Sequence, residues 1–236
     1  MKSNLLFIFL ILGVLSCKEK PTRIPSSKLT SKSNKKIEFK KIDFSNSEFA
    51  DLKMYAKDTI TSDGLKINYL VKNDNTKRTD LYIKWSKGEY SNIFMMENAL
   101  LMRKYFIPIL TEHNDKYIYM THGCATSCYA VLTLSKEAKP KAKDFLEVIA
   151  YNTHLNQIVY TPESSYSLET FEIAISDLKK GIDKSVKFKN KCNLSPENGC
   201  IDKIVFNEEY IDIFATLFNS ETSKTIQEQN RIKITE

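Results

Sequence analysis

Tyr117-Ile118-Tyr119-Met120-Thr121-His122-Gly123-Cys124-Ala125-Thr126-Ser127-Cys128-Tyr129-Ala130-Val131-Leu132-Thr133-Leu134 is the stretch that decides the fold. Tyr117 and Tyr119 alternate with Ile118 and Met120, and Ala130, Leu132 and Leu134 share one face of the second half. Successive side chains of an extended backbone point to opposite faces, so a period of two with aromatic and β-branched content marks strand. Small and polar residues between the halves break the alternation, and the four-residue step from Cys124 to Cys128 can curl.

The same pattern recurs outward from this stretch. Leu81, Ile83 and Trp85 share a face, and Phe171, Ile173 and Ile175 alternate with Glu172, Ala174 and Ser176. Val186 and Phe188 sit between lysines, and Ile211, Ile213, Ala215 and Leu217 lie opposite Asp212. Turn residues punctuate the runs at Asp63-Gly64, Lys72-Asn73-Asp74-Asn75, Lys87-Gly88, Lys179-Lys180-Gly181 and Asn198-Gly199. Met95–Met102 suits a helical turn or another strand. The expected fold class is mainly β, an antiparallel meander or β-sandwich with few helices. Tyr117–Tyr160 and Phe171–Phe218 each set strand pairs around a Cys pair, which raises a β-propeller. A propeller needs at least about four four-stranded blades. Fewer than 180 residues between Ile42 and Asn219 leave little room for them, so a sandwich is favoured.

The N-terminus carries an address. Lys2 precedes an uncharged run from Leu5 to Leu15, too short to span a bilayer as a helix. Val14-Leu15-Ser16-Cys17 resembles the lipobox of bacterial lipoproteins, with Leu15 bulkier than the usual residue there. The resemblance implies alkylation of the Cys17 thiol by a diacylglyceryl group and cleavage before it. Residues 1–16 are then a lipoprotein signal peptide, 17–41 a lipidated Cys and a flexible basic tether, and 42–236 a single β-rich globular domain. Residues 18–41 hold nine Lys or Arg against Glu19 and Glu38 and almost no large apolar side chain, so little burial offsets the entropy of ordering them. With the whole chain at +6 and Lys2 in the signal, residues 42–236 stand at −2. The positive charge belongs to the tether, which suits anionic headgroups. A folded part without a basic excess argues against a nucleic-acid partner.

Four further cysteines follow: Cys124, Cys128, Cys192 and Cys200. In an exported chain they read as two disulfides. Three connectivities are open. The local one, Cys124 with Cys128 and Cys192 with Cys200, is preferred because Pro196, Asn198 and Gly199 tighten the second loop. The competing chemistry is a metal site, His122 with two thiolates and His113 or His154 as a fourth ligand. The CxxxC spacing is not that of a thioredoxin-like redox pair, and no βαβ pattern surrounds it. The expectation is a structural disulfide, no metal and no cofactor. His113, His122 and His154 are expected at the surface, so that His122→Ala costs little stability.

Gly123-Cys124-Ala125-Thr126-Ser127-Cys128 with the following strand resembles a Gly-Cys-x-Thr-x-Cys element of uncharacterised envelope proteins. With the lipobox, the chain resembles lipoproteins of the Bacteroidota. That group implies an address in the cell envelope, an outer-membrane lipoprotein on the periplasmic face or the cell surface, and brings no particular activity with it. Lys18-Glu19-Lys20 partly resembles their surface-export signal, with one acidic residue where that signal has more.

No Gly-x-Ser-x-Gly elbow, His-Glu-x-x-His, P-loop or dinucleotide fingerprint occurs. Tyr82, Trp85, Tyr117, Tyr119, Tyr151, Tyr160 and Tyr166 suit either a ligand groove or, with more weight, core and cross-strand packing. The leading expectation is a non-catalytic binding or interaction module with a protein, peptide or glycan ligand, held at the membrane through its lipid. The alternatives are an immunity or inhibitor lipoprotein that neutralises an envelope-acting toxin or hydrolase, and a carboxylate-dependent hydrolase.

Overall fold

The computed structural model describes residues 38–46, 49–72, 79–101, 104–125, 128–137, 140–162, 171–193 and 197–235. The lipobox, Cys17 and Tyr166 lie outside them. The chain is mainly β, and among the described residues the helical segments are short 3-10 turns such as Ala50–Met54 and Ala99–Leu101. Four antiparallel sheets succeed one another. The first holds β1 (Phe39–Lys41), β2 (Thr59–Ile60), β3 (Lys66–Lys72), β4 (Leu81–Lys87) and β5 (Tyr90–Met96). The second is β6 (Ile109–His113), β7 (Tyr117–Ala125), β8 (Cys128–Ser135) and β9 (Ala142–Phe145). The third is β10 (Val148–Asn152), β11 (Gln157–Tyr160), β12 (Glu172–Asp177) and β13 (Ile182–Lys187). The fourth is β14 (Ile201–Phe206), β15 (Tyr210–Asn219) and β16 (Lys224–Lys233). The second, third and fourth sheets are plain meanders, each strand paired with the next in sequence. The chain reverses between β4 and β5 through Gly88 at φ +58, a conformation that costs other residues free energy.

The sheets pack face to face in series. Ile67, Ile83 and Trp85 of the first sheet meet Ile118, Met120, Leu132 and Leu134 of the second. The opposite face of the second, with Tyr119, Val131 and Phe145, meets Ile158 of the third. The far face of the third, with Val159, Ile173 and Ile175, meets Ile211, Ile213, Ala215 and Leu217 of the fourth. The two middle sheets are therefore covered on both faces along their inner strands, and β12 is buried at all six positions. Four sheets fit because six of the strands have five residues or fewer and β16 lies beyond Asn219. No buried cluster among the described residues joins the fourth sheet back to the first, so the arrangement is a series of layers.

Several polar groups at the layer boundaries are answered across them. Tyr69 donates to the Pro108 carbonyl at 2.5 Å, and Tyr90 donates to the Ser135 carbonyl at 2.9 Å. Between the middle sheets, buried Asn156 accepts from the Tyr119 hydroxyl at 2.9 Å and from Asn114 Nδ2 at 2.8 Å. Gln157 Nε2 donates to the Asn207 carbonyl at 3.0 Å, toward the fourth sheet. An unanswered buried group of this kind costs about 1–3 kcal/mol.

The expected end of the tether at residue 41 falls inside the fold. Phe39–Lys41 form β1, with Lys40 opposite Val71 and the Phe39 ring 4.9 Å from that of Tyr82. Only one apolar side chain marks this strand, and its lysines suit an exposed sheet edge.

The layering predicts a gradient of mutational cost. Leu132→Ala and Ile173→Ala, in sheets covered on both sides, are expected to lose about 2–5 kcal/mol in denaturant unfolding. Gln227→Ala, exposed on β16, is expected to stay within about 0.5 kcal/mol. Equal losses at all three positions would contradict the layer order.

Candidate functional site

The chemistry-bearing residues gather where β7 turns into β8. The ladder between these strands runs from Tyr117 opposite Ser135 to Gly123 opposite Tyr129, and it bulges before Ala125 meets Cys128. His122 projects from β7 into the interior, with its side chain 4% exposed. Its Nε2 lies 2.9 Å from Asp144 Oδ1 on β9, and its Nδ1 lies 2.8 Å from the Gly123 carbonyl. Both partners are acceptors, whereas a neutral imidazole has a single N–H. Both contacts are therefore hydrogen bonds only in the imidazolium. Burial opposes that charge, but the Asp144 hydrogen bond and charge, with the Gly123 carbonyl, outweigh it and raise the His122 pKa above its ordinary value. The expectation of a surface His122 is corrected here. A single polar residue in an apolar alternation does not reveal a carboxylate waiting two strands away.

Gly123 carries an aromatic lid. A Cβ at this position would meet Cδ2 of Tyr105 at 2.6 Å, so glycine is what allows the ring to lie on the strand. Tyr129 is Gly123's cross-strand partner, and Ile109 of β6 is the partner of Thr121. Thr121 and Gly123 are two residues apart, so Tyr105, Ile109 and Tyr129 share one face. Of the six exposed large apolar side chains among the described residues, these three form this group. The other aromatics follow the packing expectation. Tyr82, Trp85 and Tyr119 are buried, whereas Tyr117, Tyr151 and Tyr160 are half-buried. Burial, and a hydrogen bond with Tyr129 that favours the neutral phenol, push the Tyr151 hydroxyl far above its ordinary pKa.

The four cysteines form the local pairs. Cys124–Cys128 closes the tip of the β7–β8 hairpin, with Cα atoms 5.1 Å apart. Cys192–Cys200 spans 5.7 Å between Cα atoms, and Cys200 is buried in the cluster between the third and fourth sheets. The His122–Cys124–Cys128 ligand set does not assemble, since both nitrogens of His122 are engaged elsewhere. His113 is 3.5 Å from Asp63 and accepts from Lys136 at 3.2 Å, bridging the first and second sheets, and His154 is exposed. The residue that does reach the sulfurs is Glu147, from the corner between β9 and β10. One carboxylate oxygen of Glu147 and the two Sγ atoms lie within 4.8 Å of one another. Sequence spacing offers no sign of this, because Glu147 is far along the chain and one of many acidic residues.

Elsewhere several carboxylates are tied to cations. Asp212 takes two hydrogen bonds from Arg231, both at 2.7 Å, and Lys143 reaches both oxygens of Asp183 at 2.8 Å. The Arg231 hydrogen bonds hold Asp212 below the usual carboxylate range. Among the described residues every carboxylate with a resolved shift moves downward, as in Asp43, Asp58, Asp63, Asp183 and Asp212. A general acid needs the opposite shift.

No family model, curated protein or solved structure matches this chain.

The His122 geometry fixes the sign of a pH effect. A pKa raised on folding adds stability that is complete below the unfolded value of about 6.5 and is lost as pH rises through the folded value. The stability difference between the native chain and His122→Gln is expected to reach about 1.5–3 kcal/mol on the acid side and to shrink at higher pH. A difference that grows with pH would refute the imidazolium.

The disulfides differ in what they hold. The β7–β8 ladder already brings Cys124 and Cys128 together, whereas the Cys192–Cys200 loop carries a core side chain. Cys192→Ser/Cys200→Ser is expected to lower the unfolding midpoint more than Cys124→Ser/Cys128→Ser, read in parallel denaturant titrations. The reverse order would overturn this assignment.

Proposed function

We propose that the chain is a lipid-anchored protein of the bacterial cell envelope that binds a protein partner through the Tyr105–Ile109–Tyr129 face. The observation that carries this reading is that three exposed apolar side chains, Tyr105 on the 3-10 turn before β6, Ile109 on β6 and Tyr129 on β8, share one face of β7 around a glycine that seats the Tyr105 ring. Scattered exposed apolar residues need no explanation, but a contiguous group on a rigid support is what interfaces use. Aromatic anchors at a stapled strand end bind with little loss of side-chain entropy. A mixed aliphatic and aromatic face suits a protein surface better than a sugar, which needs hydrogen-bonding groups around its stacking ring. The lipobox resemblance at Cys17 supports the address, and the basic segment after it suits an anionic surface.

Two measurements test the two halves separately. Cys17→Ser is expected to leave the membrane fraction or to accumulate unprocessed, and a mutant still lipid-labelled and processed would remove the anchor. A photocrosslinker at position 109 in intact cells is expected to give one discrete adduct. That adduct is expected to be lost in Tyr129→Ser and not formed from a crosslinker at position 203 in the fourth sheet. Equal adducts from both positions, or none from position 109, would remove the binding face.

A further inference from the structure

We propose that reduction of the Cys124–Cys128 disulfide creates a binding site for a zinc-like divalent cation, with Cys124 Sγ, Cys128 Sγ and a Glu147 carboxylate oxygen as ligands. The inference is independent of the binding face above. Three separate segments supply the ligands: the end of β7, the start of β8 and the corner between β9 and β10. The ligand atoms lie within 4.8 Å of one another. With metal–sulfur bonds of about 2.3 Å and metal–oxygen bonds of about 2.0–2.2 Å, the edges of a tetrahedral site are about 3.5–4 Å. Opening the sulfur–sulfur bond and a small approach of the carboxylate reach that geometry.

Glu147 is the independent observation. It adopts φ +53, in the left-handed region where glycine or asparagine sits at lower cost. Its backbone carbonyl accepts from Thr161 N at 3.0 Å, so the corner is held by main chain rather than by this side chain. The carboxylate makes no hydrogen bond or ion pair with any described residue. A strained backbone position whose carboxylate the fold does not use points to a role for that carboxylate.

The hairpin makes the switch workable. Seven consecutive residue pairs, from Tyr117 opposite Ser135 to Gly123 opposite Tyr129, set the register below the disulfide. The two cysteines therefore stay close when the bond opens. A dithiol reductant supplies two electrons and two protons to the sulfurs and leaves as its own disulfide. The cation then displaces the two thiol protons to solvent and binds two thiolates and one carboxylate, an electrically favourable set for a 2+ ion. The fourth position is left for water or an incoming donor. While the disulfide is intact its sulfurs are committed, and the site does not form.

The test uses the chain with both disulfides, before and after reduction by a phosphine, titrated with cobalt(II) as the spectroscopic probe. One equivalent of cobalt is expected to bind the reduced chain with a sulfur-to-cobalt charge-transfer band, and the oxidised chain is expected to show none. Reduced Cys124→Ser/Cys128→Ser, which keeps Cys192 and Cys200, is expected to lack the band. Glu147→Gln is expected to keep the fold of the oxidised chain by circular dichroism and to weaken cobalt affinity about 10- to 100-fold. No band on reduction, a band that persists without Cys124 and Cys128, or an unchanged affinity in Glu147→Gln would each overturn the site. Crosslinking at position 109 does not depend on any of these outcomes.

Discussion

Burial of the two middle sheets on both faces is the constraint from which the rest of the structure follows. A strand covered on one side can spend every second residue on solvent, but a strand covered on both sides cannot. Along β8 the chain meets this demand with Val131 and Thr133 toward the third sheet and Leu132 and Leu134 toward the first. Along β12 it does so with Ile173 and Ile175 on one face and Ala174 and Ser176 on the other. Each buried aliphatic side chain contributes about 1.5–3 kcal/mol, so the middle layers hold much of the stability. The outer faces of the first and fourth sheets are free to carry pairs such as Arg231 with Asp212.

The candidate site sits where this burial ends. Between Met120 and Cys124 the β7 strand passes from core to the sheet end, and His122 lies at the transition, buried enough to need partners. Asp144 and the Gly123 carbonyl meet that need by fixing a positive charge. Beyond it the hairpin tip is stapled by a disulfide, topped by the Tyr105 ring and approached by Glu147. The core supplies rigidity while the tip carries groups the core does not require. That division allows a redox event or a binding event there without unfolding the layers.

Strands in the middle layers were the most legible, because their alternation is strong on both parities: Tyr117 to Met120, Ala130 to Leu134, and Phe171 to Ser176 all stand out. The polar β16 did not, since Lys224–Lys233 holds only Ile226 and Ile232 as apolar residues and takes its place by pairing with β15 over ten residues. β1 hid in a lysine-rich stretch for the same reason. The number of sheets was not read from the sequence, and short strands such as β9 and β11, four residues each, let four of them fit. At the site, the disulfide pairs were legible from spacing and turn residues. The Asp144 partner of His122, the ring over Gly123 and the approach of Glu147 were not. Each depends on which strands become neighbours, and one-dimensional periodicity does not encode that.

Native-state hydrogen exchange resolved by residue tests the layered account most directly. The account predicts that amides of Val131–Leu134 and Ile173–Ile175 exchange last, through global unfolding alone, while amides of β1 and β16 exchange first through local opening. Slowest exchange in β3–β5 or in β16, with β8 and β12 opening earlier, would contradict it.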